Sequence, residues 1–147
     1  MRVIIQRVKK SWVRVDGKEV AKIGRGYNIL LGVMEQDREE DLEKVVKKIV
    51  NLRLFPDERG RFDKSIKEIE GEVLVVSQFT LAADAKRGNR PDFSKAKRAD
   101  EAKEVYERFV KRLKEHLSVK TGIFGAYMEV GIINDGPLTI ILDSKEL

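Results

Sequence analysis

The sequence predicts an α+β fold, a layered arrangement of mixed and antiparallel sheets with two long helices packed on one side. Three observations lead there. About seven segments carry strand composition, those segments dominate both ends of the chain, and two amphipathic stretches with a helical period lie between them. A length of 147 residues matches one domain over 1–147, enough to bury a core without disulfide staples.

Residues 3–8 and 11–15 read as strands, and Asp16-Gly17 ahead of residues 18–23 predicts a hairpin closed by a primed turn. After Gly24-Arg25-Gly26, residues 27–33 read as a buried strand. Asp37, with Glu40 three residues on, predicts a capping box ahead of Leu42, Val45, Val46 and Ile49, and therefore a helix over about 38–52. Leu54-Phe55-Pro56 leads into a turn at Asp57-Glu58-Arg59-Gly60. The near-continuous apolar run of residues 72–79 predicts a strand covered on both faces, with Ser77-Gln78 at its polar end. Residues 80–93 lack a period. Ala99, Ala102, Tyr106, Phe109, Leu113 and Leu117 then mark one face of the second helix. Two closing strands, 126–133 and 138–142, are read as joined by a tight turn at Asn134-Asp135-Gly136-Pro137.

Composition removes several chemistries. The absence of cysteine excludes disulfides, thiolate nucleophiles and cysteine zinc sites, and a single histidine, His116, argues against His-rich metal sites and an ordinary Ser-His-Asp triad. No metal site is expected. Asp57, Glu58 and Asp63 miss the calcium-loop spacing and are interrupted by Arg59 and Arg61. The longest apolar stretch, residues 29–34, falls far short of the ~18 residues that span a membrane, and the N-terminal segment reads as a strand rather than a signal peptide. A soluble, intracellular protein is expected. Abundant charge, 37% of residues, with only seven Asn and Gln fits a chain adapted to heat.

The net charge of +5 is matched by one segment alone: residues 86–98 carry Lys86, Arg87, Arg90, Lys95, Lys97 and Arg98 against Asp92. Such a loop, with Gly88 and Phe93, suits phosphate contacts through counterion release, and it equally suits a solvated surface loop. Ser77, Gln78 and Thr80 gather hydrogen-bonding side chains where a covered strand gives way to a loop, a common place for chemistry. Without a neighbouring base they also fit a plain strand-end capping pattern. Gly136-Pro137 presents only carbonyl oxygens as polar atoms, which a simple turn would do too. His116 falls where an imidazolium complements a helix C-terminus.

The stretches Met1-Arg2-Val3-Ile4-Ile5-Gln6-Arg7-Val8, Leu52-Arg53-Leu54-Phe55-Pro56-Asp57, Ser77-Gln78-Phe79-Thr80-Leu81, Arg87-Gly88-Asn89-Arg90-Pro91 and Gly122-Ile123-Phe124-Gly125-Ala126 through Asn134-Asp135-Gly136-Pro137-Leu138-Thr139 closely resemble the D-aminoacyl-tRNA deacylase family. The resemblance spans essentially the whole chain, with Arg87 in place of the usual Lys and Leu138 in place of the usual Val or Phe.

That resemblance implies a barrel-like fold in β-β-α layers and a cytoplasmic homodimer with active sites at its interface. It implies hydrolysis of the ester between a D-amino acid, or glycine, and the 3′-terminal ribose of tRNA, without a cofactor. Ser77, Gln78 and Thr80 would be catalytic, with Thr80 the candidate nucleophile. Phe79, Phe124 and Met128 would wall the substrate pocket. Gly136 and Pro137 would enter the neighbouring protomer's pocket as a cis dipeptide supported by Arg7, and Lys86, Arg87 and Arg90 would meet tRNA. A chain that binds RNA through its basic loop without turnover, and a small dimeric scaffold without a ligand, are the alternatives.

Overall fold

The computed structural model describes all of residues 1–147. In chain order it contains β1 (Arg2–Val15), β2 (Lys18–Ile23), β3 (Gly26–Gly32), α1 (Glu39–Asn51), β4 (Phe55–Pro56), β5 (Phe62–Lys64), β6 (Glu72–Ser77), a 3-10 turn (Phe79–Ala82), α2 (Ala99–Lys114), β7 (Ser118–Thr121), β8 (Glu129–Asp143) and a last 3-10 turn (Ser144–Glu146). The main sheet runs β2-β1-β3-β6-β7, with β8 added on β1 and a separate β4-β5 hairpin. No helix is long and apolar enough to cross a membrane.

Two of the expected strand pairs are single strands. Residues 3–8 and 11–15 belong to one 14-residue β1 that continues through the exposed Lys9 and Lys10. The expected closing strands likewise fuse into β8, and the tight turn at Asn134-Asp135-Gly136-Pro137 is not one. Both halves of β8 run antiparallel to β1: Gln6 pairs with Thr139 and Val8 with Asn134. Two steps along β1 therefore face five along β8, and the excess is extruded as a bulge. The same residues that reverse a chain in a turn here only bow it outward, because β1 holds both flanks in register. The primed hairpin turn is as expected, with φ of 52° at Asp16 and 76° at Gly17.

The expected alternation of faces builds two cores. Val3 and Ile5 of β1, with Val73 and Val75 of β6, join α1 and α2 through Leu42, Val45, Ile49, Phe109 and Leu113 in a cluster of 23 buried residues. Val8 and Val13, with Leu74 and Val76, pack with Ala21 and Ile23 of β2 in a cluster of six. β6 is thus covered on both faces, and the sheet curls toward a barrel. Lys120 Nζ donates to Lys22 O at 2.8 Å, and Gly24 N to Glu72 Oε1 at 3.0 Å, stitching β2 to β7 and β6. Fully burying a Leu, Ile or Phe side chain contributes roughly 1.5–3 kcal/mol.

The helix start also differs from expectation. Arg38 is the cap, its N–H donating to Asp41 at 2.8 Å, while Asp37 instead accepts from Met34 N and the Met1 amino group. Asp41 is buried and accepts from Ser144 Oγ at 2.7 Å and Lys145 Nζ at 3.1 Å, and Met1 N donates to Ser144. Burial alone would raise the Asp41 carboxyl, but hydrogen bonds from Ser144, the Arg38 N–H and Lys145 prevail and hold it well below the carboxylate range. Its pKa is lower folded than unfolded, so its contribution is complete above about pH 4 and is lost as acid titrates the folded carboxylate. Asp41→Asn should therefore lower Tm at pH 7 and flatten the fall of Tm below about pH 4. An unchanged acid slope in thermal melts would exclude this role.

Candidate active site

The site sits at the carboxyl ends of the parallel strands β3 and β6. Their ladder runs from Gly26–Glu72 to Leu31–Ser77, and Gln78 N extends it by donating to Leu31 O at 2.7 Å. The chain then tightens into the 3-10 turn Phe79–Ala82. Phe79 N and Thr80 N head this turn, so they have no carbonyl behind them and neither bonds to the backbone. Side chains hold the turn at both ends: the Gln78 amide donates to Thr80 Oγ1 at its start, and Arg2 donates to Leu81 O at 2.9 Å at its far end.

What lets the turn lie on β3 is the absence of a side chain beneath it. A Cβ at Gly32 would stand 2.8 Å from Leu81 Cβ and 3.1 Å from Gln78 O. Beside the turn opens a cavity of about 500 Å³, bounded by Ser77, Gln78 and Phe79 on one side, Phe124 and Met128 on another, and Ala102 of α2 below. Tyr106 of α2 sets Phe124, their ring centroids 5.5 Å apart, and its hydroxyl donates to Val75 O at 3.2 Å. Burial pushes that hydroxyl up to about 12.

Five of the expected residues thus meet: Ser77, Gln78, Phe79, Phe124 and Met128. Thr80 stands outside the cavity wall, exposed on the turn, with its hydroxyl accepting from the Gln78 amide. The only histidine lies beyond the far end of α2, whose 16 residues span about 24 Å. No imidazole therefore stands beside Thr80 at the end of β6.

Arg7, Gly136 and Pro137 form a separate group. The Gly136-Pro137 peptide is cis, and both residues are exposed on the extruded bulge of β8, outside the wall of this chain's own cavity. Arg7 is buried beneath it, with Nε donating to Asp135 O at 3.0 Å and Nη1 to Leu54 O at 2.6 Å. Asn134 clips the bulge shut, accepting from Leu138 N at 2.8 Å and donating to Thr139 Oγ1 at 3.0 Å.

Lys86, Arg87 and Arg90 ride on the tip of an exposed loop closed by paired Asp84 and Asp92 backbones, both bonds 2.8 Å, and none of the three is in an ion pair. The Lys86 N–H holds the Asp84 carboxyl below its usual range. No group of three or more His, Asp or Glu side chains converges anywhere. Sequence reasoning misses Lys97 and Tyr127 as cavity residues. Lys97 is hidden within a basic run, and the signal for Tyr127 is an aromatic out of phase with the inward Phe124, Ala126 and Met128.

A family model described as D-Tyr-tRNA(Tyr) deacylase matches residues 4–143. The chain is 65% identical over 147 residues to a D-aminoacyl-tRNA deacylase of a Nitratiruptor species and 60% identical over 148 residues to one of Aquifex aeolicus, each alignment covering 100% of both proteins. Among solved structures, it resembles a c-Myc DNA unwinding element binding protein at TM-score 0.93 and 43% identity, covering 97% of this chain and 98% of that one. It also shares the fold of a probable eukaryotic D-amino acid tRNA deacylase, at TM-score 0.82 and 18% identity over 96% and 97% of the two chains.

Gly32→Ala should push the 3-10 turn off β3 at a cost of about 1–3 kcal/mol. Loss of the site's activity should exceed what that loss of stability accounts for at a temperature where the variant is fully folded. Melting curves beside activity assays measure both.

Proposed function

Because the chain belongs to the D-Tyr-tRNA(Tyr) deacylase family and is a hydrolase of D-aminoacyl-tRNA esters, we propose that the strand-end cavity seats the aminoacylated 3′ end and that the Gly136-Pro137 bulge supplies a chiral filter. The observation that carries this reading is the meeting of Ser77, Gln78 and Phe79 with Phe124 and Met128 around one cavity beside two unpaired amides.

An aminoacyl ester is already activated, so its hydrolysis needs an oriented water and a stabilised oxyanion rather than a strong nucleophile. Water oxygen bonds to the carbonyl carbon, and the negative charge that develops on the carbonyl oxygen faces the N–H groups of Phe79 and Thr80. Collapse breaks the bond to the ribose oxygen, which leaves with a proton, releasing the D-amino acid and tRNA. The neighbouring ribose hydroxyl assists the water, since Thr80 has only the Gln78 amide beside it. Gln78 and Thr80 then act as a positioned pair.

The exposed bulge suits a homodimer in which each protomer's Gly136 and Pro137 enter the other's cavity. The unpaired outer edge of the 15-residue β8 favours such an assembly. The two carbonyl oxygens form a rigid polar wall. An L side chain pressed on them clashes and strips them of water, whereas a D side chain points away. Glycine, with no side chain, passes, so glycyl-tRNA is a second substrate. Arg7 holds the wall from below. The free cations Lys86, Arg87 and Arg90 meet tRNA phosphates, consistent with work in the cytoplasm.

Incubation with D-tyrosyl-tRNA should release D-tyrosine at a rate unaffected by EDTA, since no ligand set for a metal converges. Thr80→Val should slow release by no more than about ten-fold, whereas losing a nucleophile that works as part of a unit costs on the order of 10⁶. A trapped acyl-enzyme on Thr80 would contradict this mechanism. Retarded tRNA mobility without amino acid release would favour a nucleic-acid binder instead.

A further inference from the structure

Tyr127 is 92% exposed, more than any other large hydrophobic or aromatic side chain of this protein, yet it lines the same cavity as Ser77 and Phe79. Packing within this chain does not account for the ring, and its place at the rim of the site leaves it free to meet what enters. The segment 122–128 alternates: Phe124, Ala126 and Met128 turn inward and are partly buried, while Ile123, Gly125 and Tyr127 turn outward. Phe79 lines the same cavity, 58% exposed and braced edge-on by Phe93 at 5.3 Å between centroids. Phe93 belongs to the basic run, and Lys97 of that run also lines the cavity. The rim therefore combines two exposed rings with a lysine that belongs to the basic run.

That combination is how proteins hold unpaired nucleotides: rings stack on base faces while lysine and arginine follow the phosphates. Lys97, Arg98 and the cations of the loop tip make a polyanion the occupant that charge favours at this rim, beside the partner's bulge proposed to enter the cavity. Resting on the proposed deacylase reading, we infer that Tyr127 is a stacking platform for a nucleobase of the single-stranded acceptor end, next to the terminal nucleoside. The ring thus serves recognition of the RNA strand rather than of the amino acid.

The test compares Tyr127→Ala and Tyr127→Phe on D-tyrosyl-tRNA and on D-tyrosyl-adenosine, which lacks every preceding nucleotide. Tyr127→Ala should raise KM for the tRNA about ten-fold or more, with a loss at least about five-fold smaller on the adenosine ester, and Tyr127→Phe should restore wild-type behaviour on both. A second arm needs no turnover: wild-type protein should quench 2-aminopurine placed at the penultimate position of a short acceptor-end RNA, and Tyr127→Ala should not. Equal losses on the two esters, an unchanged KM for tRNA, or retained quenching would overturn the inference. So would a shift in sedimentation of Tyr127→Ala protein with RNA binding intact, which would assign the ring to a protein interface. Wild-type protein that quenches but releases no amino acid would leave the platform standing and overturn the deacylase reading.

Discussion

The structure depends on β1. This 14-residue strand pairs with β3 over its first half, with β2 over its second, and with β8 along nearly its whole length. Its alternating side chains supply both cores, and its polar positions hold the two parts of the candidate site. Arg2 ties down the 3-10 turn through Leu81 O, and Arg7 ties down the bulge through Asp135 O. One strand thus anchors both the turn proposed to be catalytic and the bulge proposed to filter chirality in the partner's cavity, a firmer footing than separate flexible loops.

The bulge shows why the strand must be long. Three residues of excess chain in β8 could relax by slipping the register, but a slip by one residue would turn the buried Leu138 and Leu142 to the other face. Pairing on both flanks forbids that, and Asn134 and Arg7 satisfy the polar groups left inside the bow. The outcome is an exposed cis Gly136-Pro137 dipeptide on a rigid base. Gly32 plays the matching part for the turn: without a Cβ it lets Leu81 and the Gln78 carbonyl lie against β3, so the 3-10 turn rests on the sheet itself.

Much of this is legible in the sequence; the short strands β4, β5 and β7 carry too few residues to show a period, and the other failures share one cause. Period and propensity locate β2, β3, β6 and both helices, because those signals are local. Lys9-Lys10 reads as a break and Asn134-Asp135-Gly136-Pro137 as a reversal, because only the partner strand's register separates a bulge from a turn. Asp37 reads as a helix cap, and its true partner, the Met1 amino group, lies 36 residues away. The site divides in the same way. Ser77, Gln78 and Phe79 can be placed from the strand that ends there, and family resemblance brings in Phe124, Met128, Arg7 and the Gly-Pro pair. Lys97 and Tyr127 escape because nothing local says which exposed cation or ring borders a cavity.

The central claim is that a rigid wall of backbone oxygens, held by Arg7, separates enantiomers that carry identical groups. It is tested most directly by the ratio of deacylation rates for D- and L-tyrosyl-tRNA, measured for wild type and for Gly136→Ala. At Gly136 φ is 139°, and an added Cβ would lie 3.1 Å from both Arg7 Nη2 and Leu138 N. The account predicts rapid loss of the D ester and near-background loss of the L ester in the wild type. It predicts that Gly136→Ala protein, still folded by its melting curve, is impaired on the D ester. Comparable wild-type rates on the two enantiomers would contradict it.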